Sequence, residues 1–390
     1  MTLVSDDGAY GGPTSVATGQ LEECAARGHE VTLVSLWRGR APAPARIGSV
    51  PLRTRPARAM LPGRFTGLMH PLLVRDLWRS IGRADVVHVH AGRDLVSLTA
   101  LAVAALRRKR FVAQTHGMVQ PRRAAVVRLF DRMYVPLLRR AEGCLVLTER
   151  ERRALAEVVG AGGPPLLVLP NGVRTGSGGG TERRREGREV LFLARLHPVK
   201  RPEAFIEMAA RVHRKAPDTR FTLYGADEGE LPMVRRLIAA RGLEGVVSYG
   251  GALPHTEAVR AQAAAAVYVL PSIDEMFSMS VIEALSVGTP VVCTDGCGIA
   301  KELRRRRAAM VTDGSPQELA DAVCELLADG RKRNSLVEAG HRAVEEVFSI
   351  GAVMDRLEEI YGHVCRIDCQ EQLSPALAPP MVTESRRTTS

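Results

Sequence analysis

Short apolar runs with no polar residue alternating through them recur along this chain. In the first half they are "VTLVS" (31–35), "DVVHVH" (85–90), "RFVAQT" (110–115), "CLVLT" (144–148) and "LLVLP" (166–170). An unbroken apolar run of this length is the mark of a strand buried on both faces, as in a parallel sheet. Between the runs, apolar residues at helical spacing predict helices over 13–27, 93–108, 121–141 and 149–159. Strand alternating with helix predicts a doubly wound α/β domain. The first strand, "MTLVS", is short for such a domain.

The pattern then breaks at "RTGSGGGTERRREGR" (174–188), a polar stretch rich in Gly and Arg that has no place in a core and reads as a linker or surface loop. Beyond it the alternation restarts with "EVLFLA" (189–194), "FTLYG" (221–225), "VVSYGG" (246–251), "AVYVLPS" (266–272) and "PVVCTD" (290–295). Helices are predicted over 202–215, 230–241, 255–264 and 279–287, followed by 315–328, 331–346 and 349–364. The expected organisation is one Rossmann-like domain over 1–173, the linker over 174–188, and a second Rossmann-like domain over 189–348. A helix over 349–365 could cross back to the first domain, and a tail without periodicity covers 366–390.

A length of 390 residues supports two such cores, and 45% hydrophobic with 25% charged residues is ordinary globular composition. The longest apolar run, 95–106, is well short of the roughly 20 residues needed to span a bilayer. The opening "MTLVSDDGAYGG" has neither a charged start nor a long apolar core, so a cytoplasmic protein is expected. Seven scattered cysteines read as reduced thiols, and the four-residue spacings Cys293/Cys297 and Cys365/Cys369 have no second pair to complete a zinc shell. The net charge of +11, mostly arginine, suits phosphate-bearing partners. Aromatics at only 4%, without a nucleic-acid-binding motif, argue against nucleic acid among them.

Candidate chemistry lies in the loops after strands, where open parallel sheets bind ligands. In "DDGAYGGP" (6–13), Gly11 and Gly12 let backbone N–H groups approach a phosphate at a helix start, although the same pattern also serves a plain tight turn. His88 and His90 end one strand, and His116 ends the next in "QTHG", where it is the better functional candidate. In "ARLHPVKRP" (194–202), Arg195 and Lys200 stand just past a strand end, as two cations suited to a diphosphate or as a solvated basic turn. In "DEMFSMS" (274–280), a helix beginning near Met279 would aim the backbone donors of Phe277, Ser278 and Met279 at an anion. Glu275 precedes that helix and Glu283 lies within it. Their eight-residue separation decides nothing alone, since it recurs at Glu22/Glu30, Glu149/Glu157 and Glu338/Glu346.

Taken together, "YGGP", "THG", "LPNGV" (169–173), "ARLHPVK" and "PSIDEMFSMSVIEALSVGTPVV" (271–292) resemble the retaining glycosyltransferases of family 4, over roughly 1–362. The resemblance implies the GT-B architecture, two Rossmann-like domains facing a central cleft. It implies a nucleotide-sugar co-substrate, a UDP- or GDP-sugar, with no other cofactor. Glu275 would meet the donor sugar's hydroxyls and Glu283 the nucleotide ribose, so that both hold ligand rather than forming an acid/nucleophile pair. Arg195 and Lys200 would bind the diphosphate and stabilise it as it leaves. His116 would lie against the donor sugar, and Gly12 would admit the phosphate and help shape the acceptor side. Retention would follow from front-face attack, the departing phosphate oxygen taking the acceptor's proton.

This chain departs from the family pattern in several places. Met276 and Ser278 replace the glycines of an E-G-F-G loop, "GCGIAKEL" (296–303) replaces Gly-Gly-Ile-Pro-Glu, and "GADEG" (225–229) replaces Gly-Asp-Gly-Pro. No D-x-D triplet occurs, in keeping with a metal-independent enzyme. A nucleotide-sugar epimerase of the same fold and a non-catalytic carbohydrate-binding relic are the competing readings. The acceptor stays open between a lipid-linked or cell-envelope saccharide and a soluble natural product. The stretch 122–140 pairs basic with apolar residues at helical spacing, as either a half-buried scaffold helix or a membrane-surface helix would, so peripheral contact with the inner face of the plasma membrane stays open too.

Overall fold

The computed structural model describes residues 1–5, 11–61, 66–175 and 188–366. Most of the expected 174–188 linker, residues 6–10 of the first glycine loop, and the tail beyond residue 366 lie outside the described residues. The chain forms two compact units. One comprises Met1–Val146, Glu151–Leu169 and the residues from Arg356 onward; the other comprises Leu147–Arg150 and Pro170–Asp355.

The second unit is built on six parallel strands, in spatial order Val247–Tyr249, Arg220–Tyr224, Glu189–Leu193, Val267–Leu270, Val291–Thr294 and Met310–Thr312. Chain order runs outward from Glu189–Leu193 to one edge, then returns to its other side at Val267–Leu270, which defines a doubly wound sheet. The unbroken apolar runs are explained by burial on both faces. Val190 and Phe192 enter one core with the helices Pro202–Lys215 and Pro316–Ala328, while Leu191 enters another with Met279–Ser286 and Ala300–Arg306. Val267/Val269 and Tyr268/Leu270 divide in the same way. The two ends of this unit are stitched together: Val173 N–H donates to Phe348 O at 2.7 Å and Ile350 N–H donates to Val173 O at 2.8 Å. A Cβ on Gly172 would lie 2.8 Å from Ile350 Cα, so the "LPNGV" turn needs glycine there for a close backbone approach.

The first unit contains two four-stranded sheets rather than one described ladder. Leu3–Ser5, Leu33–Arg38 and Val50–Pro56 are parallel, with Arg46–Ile47 antiparallel at the edge; Val87–His90, Phe111–Gln114, Gly143–Val146 and Leu166–Val168 form the other, all parallel. The strand expected at 31–35 begins at Leu33, where pairing with Leu52 begins, and runs on to Arg38, because Leu36–Arg38 pair with Leu3–Ser5. Residues 36–84 hold two further elements: the strand Val50–Pro56, whose alternating arginines break the apolar run, and the helix Pro71–Arg83, which buries Leu73, Leu77 and Ile81. In the second unit, Ala300–Arg306 and Met310–Thr312 were too short to register. The last helix, Ile350–Arg366, meets the first unit through its C-terminal part: Arg27 pairs with Glu358 at 2.9 Å, and Arg110 donates to Val364 O at 2.8 Å.

The second unit's core has an aromatic centre. Phe205 is fully buried, with ring centroids 5.5 Å from Phe192 and 6.2 Å from Phe221. Phe205→Ala is expected to cost about 3–5 kcal/mol in denaturant unfolding of the whole chain, from lost burial and the cavity left behind.

Candidate functional site

In the second unit the order of the sheet reverses between Glu189–Leu193 and Val267–Leu270, and the loops leaving these neighbouring strands open side by side. One carries Arg195 and Lys200, the other Glu275. They are zipped together by backbone, Ile273 N–H donating to Val199 O at 2.9 Å. Lys200 closes a short 3-10 turn, Pro198–Lys200, started by His197, whose Nδ1 accepts from Val199 N–H at 3.2 Å. A third loop fixes Glu275 from the other side. Its N–H donates to Gly296 O at 3.1 Å, and its carbonyl accepts from Gly298 N–H at 2.7 Å. A Cβ at Gly298 would stand 2.0 Å from Met276 O, so "GCGIAKEL" retains a glycine that its packing requires there.

These loops place the Lys200 ammonium 2.5 Å from Glu275 Oε1, with both side chains largely buried at 14% and 11% exposure. The other carboxylate oxygen, Oε2, is buried and has no hydrogen-bond partner among the described residues. A buried acceptor without a donor is costly, so this oxygen is suited to a donor brought by a ligand. Arg195 stands apart from this pair, its guanidinium 2.5 Å from Glu228 Oε1 at a more exposed position. Glu228 is held there by the "GADEG" turn. Leu196 and Asp227 form a parallel bridge, Glu228 N–H donates to Leu196 O at 3.1 Å, and Gly225 takes φ +148 where a Cβ would lie 1.9 Å from Ala194 O.

The helix Met279–Ser286 begins without a side-chain cap on its first-turn N–H groups. The side chains of the three residues expected at this anion-facing turn point elsewhere. Phe277 packs against Phe348 at 6.2 Å and Met279 against the same core, while Ser278 is buried with its hydroxyl 3.1 Å from Ser280 Oγ. Only their backbone is left to meet a ligand. Ser280 Oγ in turn accepts from the hydroxyl of Tyr268 at 2.8 Å, which ties the helix start to the strand at the reversal point. One turn further on, burial pushes the Glu283 carboxyl above its ordinary range against the opposing pull of His255, whose Nδ1 is 3.8 Å away. Glu275 and Glu283 thus have different partners, an ammonium and an imidazole, and do not form a carboxylate couple.

Gly11, Gly12 and His116 belong to the first unit. Gly11 opens the helix Gly11–Ala26, and a Cβ on Gly12 would meet nothing within 4 Å, so its glycine is not required by packing. His116 follows the strand Phe111–Gln114 in the left-handed region, φ +50, and Gly117 follows at +73. A non-glycine residue holds that conformation only when its neighbours impose it. Here Glu151, fully buried, accepts from Thr115 Oγ1 and from Gly117 N–H, both at 2.5 Å, bracketing His116 on either side. His90 Nδ1 lies 2.7 Å from His116 Nε2, the two rings stack at 5.0 Å, and His88 stacks on His90 at 4.4 Å. His88 Nδ1 contacts the Tyr361 hydroxyl at 2.7 Å. Burial holds His116 and His88 down at about 3, and lowers His90 as well, so the three rings are neutral at pH 7. Glu151 and Glu228 were not singled out in the sequence, and His90 was ranked behind His116. The odd "GADEG" turn pointed to the neighbourhood of Glu228, but nothing local pointed to Glu151.

Comparison with known proteins shows the family. Residues 180–343 match the profile of Glycosyl transferases group 1, and residues 10–177 that of Glycosyltransferase Family 4. The chain is a group 1 glycosyltransferase with the GT-B fold. Among its relatives, this glycosyltransferase is 28% identical over 315 residues to a D-inositol 3-phosphate glycosyltransferase of Corynebacterium aurimucosum, covering 76% of this chain and 69% of that one. It is 30% identical over 176 residues to an alpha-D-kanosaminyltransferase of Streptomyces kanamyceticus, covering 45% of each. Among solved structures, Anabaena HepE in complex with UDP superimposes with a TM-score of 0.72 at 18% identity, covering 93% of this chain and 99% of that one. No helix among the described residues is long and apolar enough to cross a membrane.

The lowered histidines make a prediction with a definite sign. Their folded forms release protons that the unfolded chain binds below about pH 6.5, so stability is present above that pH and is lost as pH falls toward about 3. In guanidinium unfolding, the loss of stability between about pH 7 and about pH 5 is expected to be smaller in His116→Gln than in the wild type.

Proposed function

We propose that this glycosyltransferase moves a sugar from a nucleoside-diphosphate sugar to a hydroxyl, with retention at the anomeric carbon and an α-linked product. The observation that carries the reading is the Lys200–Glu275 pair at the reversal point of the sheet, with Glu275 Oε2 buried and lacking a donor. A sugar hydroxyl would supply that donor while the adjacent ammonium takes up charge on the phosphate. UDP in the HepE complex supports a UDP-sugar as the first donor to test.

In this reading Arg195 and Lys200 bind the diphosphate, and the bare first turn at Phe277–Met279 gives it backbone N–H groups. Glu283 accepts from the ribose hydroxyls. His116 lies against the donor sugar and donates or accepts as a neutral imidazole. Gly11 and Gly12 leave space for the phosphate and the acceptor. The acceptor hydroxyl attacks the face from which the phosphate leaves; the anomeric C–O bond breaks, its electron pair stays on the phosphate oxygen, and that oxygen takes the acceptor's proton. Charge builds on the leaving diphosphate, where Lys200 and Arg195 lower the barrier. The acceptor belongs to a saccharide, lipid-linked or soluble, or to a natural product. No metal is required by this scheme.

Released nucleotide, measured without added metal across UDP-, GDP- and dTDP-sugars with and without cell extract, tests the reading. Release from one donor that depends on extract is expected. Release or epimerisation without extract would move the reading to hydrolase or epimerase, and no binding of any donor would make the chain a relic. Lys200→Ala is expected to lower kcat by about 10²–10³, as for loss of one charge stabilising a leaving group, and Glu283→Ala to act mainly on donor KM. Both unchanged would sink the assignment.

Glu228 Oε1 holds one nitrogen of the Arg195 guanidinium and would compete with a bound diphosphate for it. Glu228→Gln is accordingly expected to lower the Kd for the product nucleotide by up to about fivefold, the scale of an exposed ion pair, read by calorimetry.

A further inference from the structure

The helix Ala125–Leu138 has more apolar surface than its core needs. Its inner face buries Tyr134 and Leu138, with Phe130 packed on Tyr134 at 5.5 Å. Its one carboxylate, Asp131, is gripped by Arg93 through both oxygens, at 2.8 and 3.0 Å. On the other side Val126, Leu129 and Met133 are exposed by 73%, 66% and 57%. At about 100° per residue these three positions fall within an arc of roughly 60°, a second apolar stripe on the solvent side, beside the face that meets the core. Arg128 and Arg132, both exposed, run along one flank of the stripe, and the exposed Arg122 and Arg123 precede the helix.

We propose that this face is a docking surface for an anionic lipid bilayer, with Val126, Leu129 and Met133 entering the acyl boundary and Arg128 and Arg132 meeting the headgroup phosphates. An interfacial helix needs this arrangement of an apolar stripe beside a cationic row. Isolated exposed apolar residues are commonplace on soluble proteins, but three large ones aligned on one helix face form a patch that calls for a partner. The charges select the partner. Between residues 121 and 140 the only acidic residue is Asp131, already paired with Arg93, so the outer face is uniformly positive. A second copy docked by the same face would set arginine rows against arginine rows, which a self-complementary interface does not tolerate. Anionic lipid meets both the apolar stripe and the charge, in a protein whose net charge is +11. This inference is independent of the transfer chemistry proposed above.

The test is co-sedimentation of the full chain with vesicles of phosphatidylcholine alone and of phosphatidylcholine mixed with phosphatidylglycerol, with no donor present. Binding is expected to be at least about tenfold stronger to the anionic vesicles and to weaken as salt is raised. Leu129→Glu with Met133→Glu is expected to reduce it about tenfold or more, and Arg128→Gln with Arg132→Gln by roughly fivefold per arginine, with thermal unfolding unchanged. Should the glutamate variant fold poorly, Leu129→Trp gives the same answer, its emission moving to the blue on addition of anionic vesicles only. Absence of binding, or binding equal in all variants, would overturn the proposal. So would a wild-type dimer that Leu129→Glu converts to monomer, since the stripe would then belong to a second copy. Nucleotide release, measured separately, keeps failure of this surface distinct from failure of the transferase reading.

Discussion

The contact on which the candidate site depends is the ion pair between Lys200 and Glu275, 2.5 Å apart and largely withdrawn from water. Two opposite charges at that depth are stable only if each is held in place and further satisfied by hydrogen bonds. Much of the neighbouring architecture answers that demand. The reversal of strand order brings their loops side by side, Ile273 N–H ties one loop to the other at Val199 O, and the close approach at Gly298 braces Glu275 from a third. Within the pair, Glu275 Oε2 is the oxygen that no described residue satisfies. An acceptor left open beside a cation is what the proposed ligand, with a hydroxyl and a negative charge, would require.

The first unit solves a different problem with related means. His116 is held in a left-handed conformation that only glycine adopts freely, and the buried carboxylate of Glu151 imposes it by accepting from residues 115 and 117. The stacked His90 then fixes the plane of the His116 ring. Burial keeps the imidazoles neutral, so the ring offers a hydrogen bond without bringing a positive charge to its site. Arg195 and Glu228 lie at the opposite extreme, an exposed pair that costs little to break. Rigid contacts thus hold Glu275 and His116, while Arg195 is held by a weak one.

Much of the fold could be read from the run of apolar residues alone. Strands such as Glu189–Leu193 and Val267–Leu270 face cores on both sides, and a side chain buried on either face must be apolar, so the signal is written locally. Val50–Pro56 escaped because its arginines at 53 and 55 lie on a half-open face and break the run, and Met310–Thr312 because three residues make no pattern. Of the candidate residues, Arg195, Lys200 and Glu275 were visible because they lie in loops just past strand ends, and Glu283 because the family resemblance pointed to it. Glu151 was not, since it lies 35 residues beyond His116 in sequence and reaches it only through the folded chain.

By itself the sequence determined the α/β class, the two-domain plan and the membership in the group 1 glycosyltransferases, because these follow from periodicities and motifs that each span a few residues. Only the tertiary structure decided which charges meet. That Lys200 faces Glu275 while Arg195 turns to Glu228, that Phe277 spends its ring on Phe348, and that Leu129 is left outside a core that takes Tyr134 are outcomes of long-range packing. Pairing energies of this kind depend on distance and burial, and neither quantity is encoded in any short stretch of the chain.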